Sequence, residues 1–377
     1  FFESGAGNMW KGVSRALQAA STVARRGYAT SAASGKTVGI VGAGGVGEAI
    51  GLNLHRAGVH VTAWTDHNPA AGAELAKVAP NRVDTPREVA EAADVIITAL
   101  TTPPVVRECV LGESGVFAGM KEGALWIDHS TTDYNQTIEL SKLAESQGKR
   151  VLEAPITGGL TLLQEGKMTV LVGGDRQLFD EHKELLQHNF NTVLYMGEMG
   201  CATVTKVVTN MFAGAHVVLT AEALLMAKKA GIDMASYFDA VRNSAGNSYV
   251  WETEVPLILN QTFDPGFHID LHNKDWNLGY EMGRKFGVPL VAFGLFEQTY
   301  YKAMYKYGGT VGSTHPAKLL QDEMGVTLDA PGFEKWTYTC KLVDCEMDGR
   351  TPTMAVVHQA DADKAAFTKL DARSVDR

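Results

Sequence analysis

Two polar side chains interrupt a long apolar stretch between residues 197 and 231. Lys206 and Asn210 stand four positions apart, and this spacing places both on one face of a helix. An unpaired buried ammonium group costs on the order of several kcal/mol, so we expect a partner for Lys206. Burial also lowers the pKa of a lysine, which suits it to give and take a proton near neutral pH. Such tuning is what acid–base catalysis requires, whereas the default interpretation of a lone lysine is a side chain that reaches solvent along the helix surface.

A glycine-rich segment follows the first apolar strand. Residues 38–41 predict a strand, a helix is expected up to Arg56, and residues 59–64 predict a second strand. The glycines of the intervening GAGGVG allow a tight turn, close approach of a pyrophosphate and close packing of helix on strand. The helix N-terminus would face the phosphates of a dinucleotide, and the alternative is a glycine-rich turn without a ligand. The predicted cofactor-binding residues here are Gly42, Gly44, Gly45, Val46 and Gly47.

The end of the second strand carries Thr65 and Asp66, where dinucleotide-binding domains contact the adenosine ribose. A carboxylate there binds the ribose hydroxyls of NAD, whereas an arginine meets the 2′-phosphate of NADP. Thr65 holds the position usual for the acid, and Asp66 follows it. Because Asp66 would repel the phosphate and no arginine is adjacent in sequence, the pattern favours NAD over NADP.

Three further apolar strands end in loops of small polar residues. Residues 93–100, 123–131 and 150–159 each contain such a strand and loop, and residues 167–175 predict a strand and turn. Loops at the carboxyl ends of parallel strands bind ligands in open α/β sheets. Hydroxyl and backbone N–H groups there could hold a carboxylate, with ordinary turn chemistry as the equal alternative. The alternation of strands and helices predicts a doubly wound α/β domain over residues 36–196.

Five segments make the chain resemble a known family: GIVGAGGVGEAIGLNL, DHSTTDYN, EAPITGGLTLLQEGKMTVLVGG, GEMGCATVTKVVTN and HNKDWNLG. Together they resemble the β-hydroxyacid dehydrogenase family over about residues 36–328. The resemblance implies a Rossmann-like doubly wound α/β domain followed by an all-α domain, as in 6-phosphogluconate dehydrogenase. The helical domain, residues 197–328, would begin with a long connecting helix. The implied reaction is hydride transfer between a nicotinamide and a short 3-hydroxyacid, in a cleft between the domains of a homodimer or homotetramer.

The resemblance also assigns roles to individual residues. Lys206 matches the catalytic lysine and Asn210 its partner, while Lys274 would approach the nicotinamide end of the cofactor. Asp275 is expected to be structural. The implied site for the substrate carboxylate comprises Ser130, Thr131, Thr157, Gly158 and Gly159; the cofactor site extends to Leu100 and Thr102; and Ser244, Gly246 and Trp251 match a loop that lines the cleft.

Three residues depart from the family pattern. Thr101 stands where proline is usual, Thr157 replaces a serine, and Ala202 replaces the second glycine of GxGxxxK, which would narrow the approach to Lys206. Residues 329–377 have no counterpart in the family core and predict a helix over 360–373. This C-terminal extension could cap a neighbouring subunit, bind a mitochondrial protein or remain solvated.

Composition and charge exclude several classes of function. The chain has 377 residues, enough for two domains, and its formal net charge of −9 argues against a nucleic-acid surface. Cys340 and Cys345 lack a nearby histidine pair, so neither a zinc site nor another metal site is expected, and all four cysteines are expected to be reduced. The longest uncharged run of the apolar stretch, residues 207–221, is shorter than the roughly 20 apolar residues that a bilayer requires. No membrane span is therefore expected.

The N-terminal segment has the composition of a mitochondrial transit peptide. Residues 9–34 contain Lys11, Arg15, Arg25 and Arg26, many serines and alanines, and no acid. We therefore predict that residues 1–35 are a leader and transit peptide and that the protein works in the mitochondrial matrix. The alternative is a disordered basic arm.

Three functional hypotheses follow. The leading one is NAD-dependent oxidation of a short 3-hydroxyacid, with 3-hydroxyisobutyrate converted to methylmalonate semialdehyde. A second enzyme hypothesis is reduction of succinic semialdehyde or glyoxylate, which the absence of an adjacent arginine disfavours. The third is a catalytically weakened Rossmann scaffold in a mitochondrial assembly, motivated by the C-terminal extension, Thr101 and Ala202.

Overall fold

The computed structural model describes residues 35–338 of the chain. The predicted transit peptide, apart from residue 35, lies outside the described residues. So do the helix predicted over 360–373 and the two C-terminal cysteines.

Eight strands form a single sheet at the start of the described chain. They are β1 (Val38–Val41), β2 (Val61–Thr65), β3 (Val95–Thr98), β4 (Leu125–Asp128), β5 (Arg150–Glu153), β6 (Ile156–Thr157), β7 (Met168–Gly174) and β8 (Phe190–Gly197). The order across the sheet is β2-β1-β3-β4-β5-β7-β6, and β8 pairs with β7. The ladders from β2 to β5 and the β7–β8 ladder are parallel, whereas β7 runs antiparallel to β5 and β6. Strands β1 to β4 are buried throughout apart from one residue of β2, in agreement with their continuous apolar sequences.

Helices cover the two faces of this sheet. They are α1 (Gly45–Arg56), α2 (Pro86–Ala92), α3 (Pro103–Leu111), α4 (Val116–Gly119), α5 (Tyr134–Ser146), α6 (Leu160–Gln164) and α7 (Arg176–Gln187). Several of these helices have a side-chain N-cap. At α2, the Thr85 hydroxyl and the Glu88 carboxylate form a reciprocal capping box. Asp133 and Asp175 accept hydrogen bonds from the first turns of α5 and α7.

The rest of the described chain is helical. The helices are α8 (Cys201–Lys229), α9 (Met234–Arg242), α10 (Tyr249–Thr253), α11 (Val255–Leu259), α12 (Ile269–Phe286), α13 (Val291–Tyr307) and α14 (His315–Met324). Helix α8 packs against α12, α13 and α14. The prediction of a Rossmann-like α/β sheet followed by a helical region is therefore confirmed.

Helix α8 is the one described helix that is long and apolar enough to cross a membrane. Half of its most apolar window is buried inside the protein, and core helices of soluble proteins satisfy the same criteria. Its contacts with α12, α13 and α14 bury one part of its apolar surface.

The first residues of the predicted C-terminal extension belong to the helical core. Leu328, Phe333 and Trp336 are buried in one cluster with Phe238 and Trp251. The Asn260 amide donates hydrogen bonds to the carbonyl oxygens of Phe333, at 3.2 Å, and Trp336, at 2.8 Å. The aromatic residues Phe333 and Trp336 thus pack into the same cluster as the helices that precede them.

Candidate active site

Lys206 lies one and a half turns into α8 and has the partner that its burial requires. Its side chain is buried, and Nζ donates a hydrogen bond to Oδ1 of Asn210 at 2.9 Å. The Asn210 amide in turn donates to Oδ2 of Asp275, on α12, at 2.6 Å. The residues expected from their i,i+4 spacing to share a helix face are thus joined, and Asp275 extends the network to a second helix.

The surroundings of Lys206 move its pKa toward neutrality. The pKa of Lys206 is lowered to about 8, because burial and the nearby Lys274 lower it by more than Asp275 raises it. Burial is the largest of these effects, because removing the ammonium group from water disfavours its charged form. With this pKa, both the protonated and the neutral form of Lys206 are populated near physiological pH, so the side chain can act as acid or base.

Lys274 connects the helical network to the sheet. Its ammonium group forms an ion pair with Oδ1 of Asp275 at 2.9 Å and donates a hydrogen bond to the carbonyl oxygen of Thr131 at 2.6 Å. Thr131 follows the carboxyl end of β4. Two residues predicted for different roles, Lys274 for cofactor and Thr131 for substrate, therefore lie in direct contact.

A buried carboxyl group organises the strand ends next to Thr131. Asp128, the last residue of β4, accepts hydrogen bonds from the Thr98 hydroxyl at 2.8 Å and the Ser130 backbone N–H at 3.0 Å. The Ser130 hydroxyl accepts one from the Leu100 backbone N–H at 3.0 Å. Burial raises the pKa of Asp128, and its hydrogen bonds with Ser130 and Thr98 lower it. Two predicted site residues, Leu100 and Ser130, are thereby joined, and Thr102, the N-cap of α3, follows Leu100 closely in the chain.

The glycine-rich segment forms the turn between β1 and α1. Gly42 has φ of +90°, and a Cβ there would lie 2.5 Å from the carbonyl oxygen of Ala99. A Cβ on Gly47 would lie 1.9 Å from the carbonyl oxygen of Gly42, so only glycine fits at either position. Gly44, in contrast, has open space where its Cβ would be, and it leaves the N-terminus of α1 without a side-chain cap.

This contrast shows that the segment fits a dinucleotide. The packing of the protein itself requires Gly42 and Gly47, but nothing in the described chain requires glycine at 44. A bound pyrophosphate would explain the glycine at 44, because a side chain there would block its approach to the backbone. The uncapped N–H groups of α1 would bind the pyrophosphate. Gly45 is exposed and Val46 half-buried beside this surface.

Asp66 lies in a loop held by an arginine from elsewhere in the chain. The Arg82 guanidinium donates hydrogen bonds to the carbonyl oxygens of Asp66, at 2.8 Å, and Pro69, at 2.9 Å, and it stacks on the Trp64 ring. Thr65 is buried at the end of β2. No arginine is adjacent to Asp66 in sequence, but in the structure Arg82 contacts this loop from further along the chain. Arg82 was missed because it reaches the loop through an isolated bridge to Trp64.

The predicted carboxylate site divides into two groups. Ser130 and Thr131 join the network around Lys274. Among the described residues, no hydrogen bond links Thr157, Gly158 or Gly159 to Lys206, Asn210 or Lys274. Gly159 instead contacts the ring of Tyr338, near the end of the described chain. Of the loop expected to line the cleft, Trp251 is buried in the helical core.

Glu153 fixes the start of α8 against the sheet. Its Oε1 accepts hydrogen bonds from the backbone N–H groups of Gly200, at 2.6 Å, and Ala202, at 3.0 Å, and its Oε2 accepts one from that of Thr203, at 3.0 Å. Burial raises the pKa of Glu153, and these hydrogen bonds lower it. The backbone N–H of Ala202 is thus bound by Glu153, and the residue is fully buried.

Sequence reasoning missed three carboxylates of this site. Asp275, expected to be structural, is hydrogen-bonded to Asn210, and Asp128 and Glu153 position the strand ends and α8. All three lie within segments that carry the family resemblance, but their contacts with Asn210, Thr98 and the start of α8 join residues distant in sequence, which no local pattern reveals. In the described part of the chain, no group of three histidine, cysteine or acidic side chains could hold a metal ion.

Two family models match the chain in succession. One, described as the NAD binding domain of 6-phosphogluconate dehydrogenase, matches residues 37–197. The other, described as NAD-binding of NADP-dependent 3-hydroxyisobutyrate dehydrogenase, matches residues 200–320. The glycine turn, the strand ends and the buried lysine lie within these matches.

Individual proteins are similar to this chain over two thirds or more of its length. The 2-hydroxy-3-oxopropionate reductase of Escherichia coli (strain K12) is 30% identical over 253 residues, which are 67% of this chain and 86% of that protein. The solved structure of Mycobacterium tuberculosis 3-hydroxyisobutyrate dehydrogenase with L-serine is 28% identical, with a TM-score of 0.70 over 76% of this chain and 99% of that one. The cytokine-like nuclear factor N-PAC of Mus musculus is 29% identical over 77% of this chain, which spans only 52% of that relative's length.

Fold and site together define an NAD(P)-binding protein built on the plan of the 6-phosphogluconate dehydrogenase fold. The chain belongs to the β-hydroxyacid dehydrogenase family. The predicted family is thereby confirmed, whereas its members differ in substrate and cofactor.

Proposed function

We propose that this protein is an active dehydrogenase that oxidises a short 3-hydroxyacid with a nicotinamide cofactor. The observation that carries the proposal is the buried Lys206, hydrogen-bonded to Asn210, with a pKa lowered by burial to about 8. A protein without proton-transfer chemistry has no physical need for such a costly group.

When bound, the nicotinamide takes the hydride in oxidation or supplies it in reduction. In oxidation, Nζ of neutral Lys206 accepts the proton of the substrate hydroxyl while the C–H bond breaks. In reduction, protonated Lys206 gives that proton to the carbonyl oxygen. Asn210 orients the lysine, and Asp275 stabilises its charged form. Ser130 and Thr131, with Thr157, Gly158 and Gly159, would bind the substrate carboxylate.

The finer assignment is oxidation of 3-hydroxyisobutyrate with NAD. Two observations support this assignment. The chain is similar to the solved structure of a 3-hydroxyisobutyrate dehydrogenase, and the carboxylate of Asp66 would repel the 2′-phosphate of NADP. The Arg82 guanidinium is engaged by backbone carbonyl groups of the same loop, which reduces its capacity to bind that phosphate. Reduction of succinic semialdehyde or glyoxylate remains the second enzymatic possibility. Mitochondrial location is a further proposal, supported by the basic, acid-free residues 9–34.

A scaffold without turnover is the second candidate function. It is favoured by the similarity to N-PAC, which is named as a nuclear factor, over 77% of this chain. A partner of such a scaffold could bind through residues 329–377. The retained lysine network weighs against this candidate.

The direct test is reduction of NAD and NADP by the purified chain with 3-hydroxyisobutyrate, 3-hydroxypropionate, 4-hydroxybutyrate and L-serine. The variant Lys206→Ala is measured beside it, with Lys142→Ala, on α5, as a surface control. We expect turnover of a 3-hydroxyacid, its loss in Lys206→Ala by at least about 100-fold, the lower range for acid–base catalysis, and no loss in the control. Cofactor binding without turnover of any acid would favour the scaffold.

A further inference from the structure

The end of the described chain crosses from the helical core to the loop after β6. Trp336 is anchored in the core, and two residues later the Tyr338 ring lies against Gly159. A Cβ on Gly159 would lie 2.6 Å from Cε1 and 3.1 Å from Cδ1 of Tyr338. The aromatic ring therefore occupies the space that any side chain at 159 would fill.

The other end of the Tyr338 side chain reaches the helical region. Its hydroxyl forms a hydrogen bond with the side chain of Tyr249, the first residue of α10. Burial raises the pKa of both phenols, and the hydrogen bond raises that of Tyr338 but lowers that of Tyr249. The Tyr338 side chain therefore bridges the strand-end loop and the helices.

The position of Tyr338 is fixed by the segment before it. Lys228 on α8 contacts both the carbonyl oxygen of Asp329, at 3.0 Å, and its carboxylate, at 3.1 Å. The Phe333 and Trp336 rings pack on Phe238 with centroid distances of 5.2 and 6.3 Å. A segment held at successive points presents its next side chain in a defined place.

The described groups that contact or act on Tyr338, which are Gly159, Tyr249 and Glu254, include no cation. Glu254 is buried, its Oε2 has no hydrogen-bond partner among the described residues, and it raises the pKa of Tyr249 and Tyr338. Burial raises the pKa of Glu254 itself to about 8, so it is mostly neutral at pH 7. Aromatic and neutral polar groups accept a small uncharged substituent but offer nothing to neutralise a second carboxylate.

We propose that Tyr338 is a specificity-determining residue, whose ring forms one wall of the substrate site beside Gly159 and admits only acids with a small uncharged substituent at carbon 2. The inference rests on the proposed function, because Gly159 is assigned to the substrate through it. It extends that function by assigning a substrate contact to the segment beyond the family's common core.

A purely structural role would be to hold the two regions together through the hydrogen bond to Tyr249. Two variants separate these roles. Tyr338→Phe removes the hydrogen bond and keeps the ring, whereas Tyr338→Ala removes both. Glu334→Gln, exposed in the same segment, is the matched control.

The experiment measures kcat/KM of the full chain for 3-hydroxyisobutyrate, for 2-(hydroxymethyl)butyrate, which has one more methylene at carbon 2, and for 2-(hydroxymethyl)glutarate, which has a second carboxylate. We expect Tyr338→Ala to raise the ratio of the butyrate to 3-hydroxyisobutyrate by about tenfold or more, the usual effect of one methylene in a tight pocket. Tyr338→Phe and Glu334→Gln should leave this ratio within about threefold of the wild type. The glutarate should remain a poor substrate of all four proteins, because its second charge stays unpaired.

An unchanged ratio in Tyr338→Ala, or an equal change in Tyr338→Phe, would overturn the proposal. If the wild type oxidises none of the acids, the proposed function fails, and calorimetric titration of the same three acids into the protein with NADH tests the wall separately. Tighter binding of the butyrate by Tyr338→Ala alone would support the wall. Equal binding by all variants, or no binding by any, would overturn it.

Discussion

Three neighbours act on the proton of Lys206 in different ways. Asn210 accepts its hydrogen bond without adding charge, Asp275 favours the protonated form, and Lys274 disfavours it. Asp275 is also paired with Lys274, so the same carboxylate supports one cation and partly neutralises the other. The working pKa of the lysine therefore depends on a residue 69 positions away in sequence, on another helix.

Replacing Asp275 by Asn should lower the pKa of Lys206 further. The variant removes the charge that raises this pKa and leaves Lys274, which lowers it, unpaired. The pH at which oxidation reaches half of its maximum kcat/KM should fall by roughly one unit, the scale of a close charge interaction. The control is Asp270→Asn, exposed on the same helix. A pH profile that stays in place, or moves upward, in Asp275→Asn would contradict this account.

Local spacing was sufficient to predict the pair Lys206 and Asn210, because helix geometry relates positions four apart. It could not predict Asp275, since only the packing of α12 on α8 brings that side chain to Asn210. Arg82 escaped prediction for the same reason. A contact between one residue in each of two distant elements does not produce a periodic pattern in the sequence of either element.

At the scale of elements, the start of α8 is the point at which the sheet controls the lysine. Glu153, at the end of β5, binds three backbone N–H groups of the first turn of α8 and of the residue before it. These N–H groups have no partners within the helix, and a negative charge is favoured there. Lys206 follows within one turn, so its placement depends on this contact.

Glu153→Gln should loosen that contact. The amide presents N–H donors where the helix also presents donors, so at least one hydrogen bond is lost at a buried site. We expect the free energy of unfolding to fall by about 1–3 kcal/mol and kcat to fall more than KM rises, with denaturant titration and steady-state kinetics as the measurements. Glu145→Gln, exposed on α5, should change neither. Wild-type kcat together with lost stability would show that Glu153 holds the fold but does not position Lys206.

The glycine turn allows a matched pair of substitutions. Gly44→Ala has space for its methyl group, so the melting temperature should stay near that of the wild type while NADH binding weakens. Gly47→Ala would collide with the carbonyl oxygen of Gly42, so the protein should be strongly destabilised. Thermal unfolding and NADH fluorescence titration distinguish the two effects. Unchanged NADH affinity in Gly44→Ala would contradict the assignment of the pyrophosphate to this turn.

At the scale of the whole molecule, a stripe of apolar side chains remains exposed on α8. Phe212, Leu219 and Met226, spaced by seven residues, are 52%, 48% and 71% exposed. The Phe212 ring also meets Phe293 on α13, where Val291 and Leu295 are exposed as well. An apolar surface of this extent is typical of an interface, and the resemblance implies a homodimer or homotetramer.

We expect sedimentation velocity to give a dimer or tetramer. Leu219→Glu, in the middle of the stripe, should shift the protein toward the monomer, because burying an unpaired charge opposes association. Glu222→Gln, exposed one turn further along the same helix, should not. A monomeric wild type would refute the assignment of this stripe.

The doubly wound architecture of the first five strands followed from the alternation of apolar strands and helices. The sheet edge beyond β5 did not, because β6 has only two residues and β7 reverses direction. The C-terminal residues were expected to have no counterpart in the family core, and in this structure Phe333 and Trp336 pack into the helical core. Aromatic residues that do not recur at a helix or strand period indicate neither which side of the segment is buried nor which residues it packs against.

The most direct test of the central claim is the pH dependence of kcat/KM in both directions of the reaction. Neutral Lys206 is needed in oxidation and protonated Lys206 in reduction. With a pKa lowered to about 8, oxidation should rise and reduction should fall as the pH increases through this value. Opposite slopes that disappear in Lys206→Met would support the lysine as the proton-transfer group. Equal slopes in the two directions, or a profile unchanged by Lys206→Met, would contradict it.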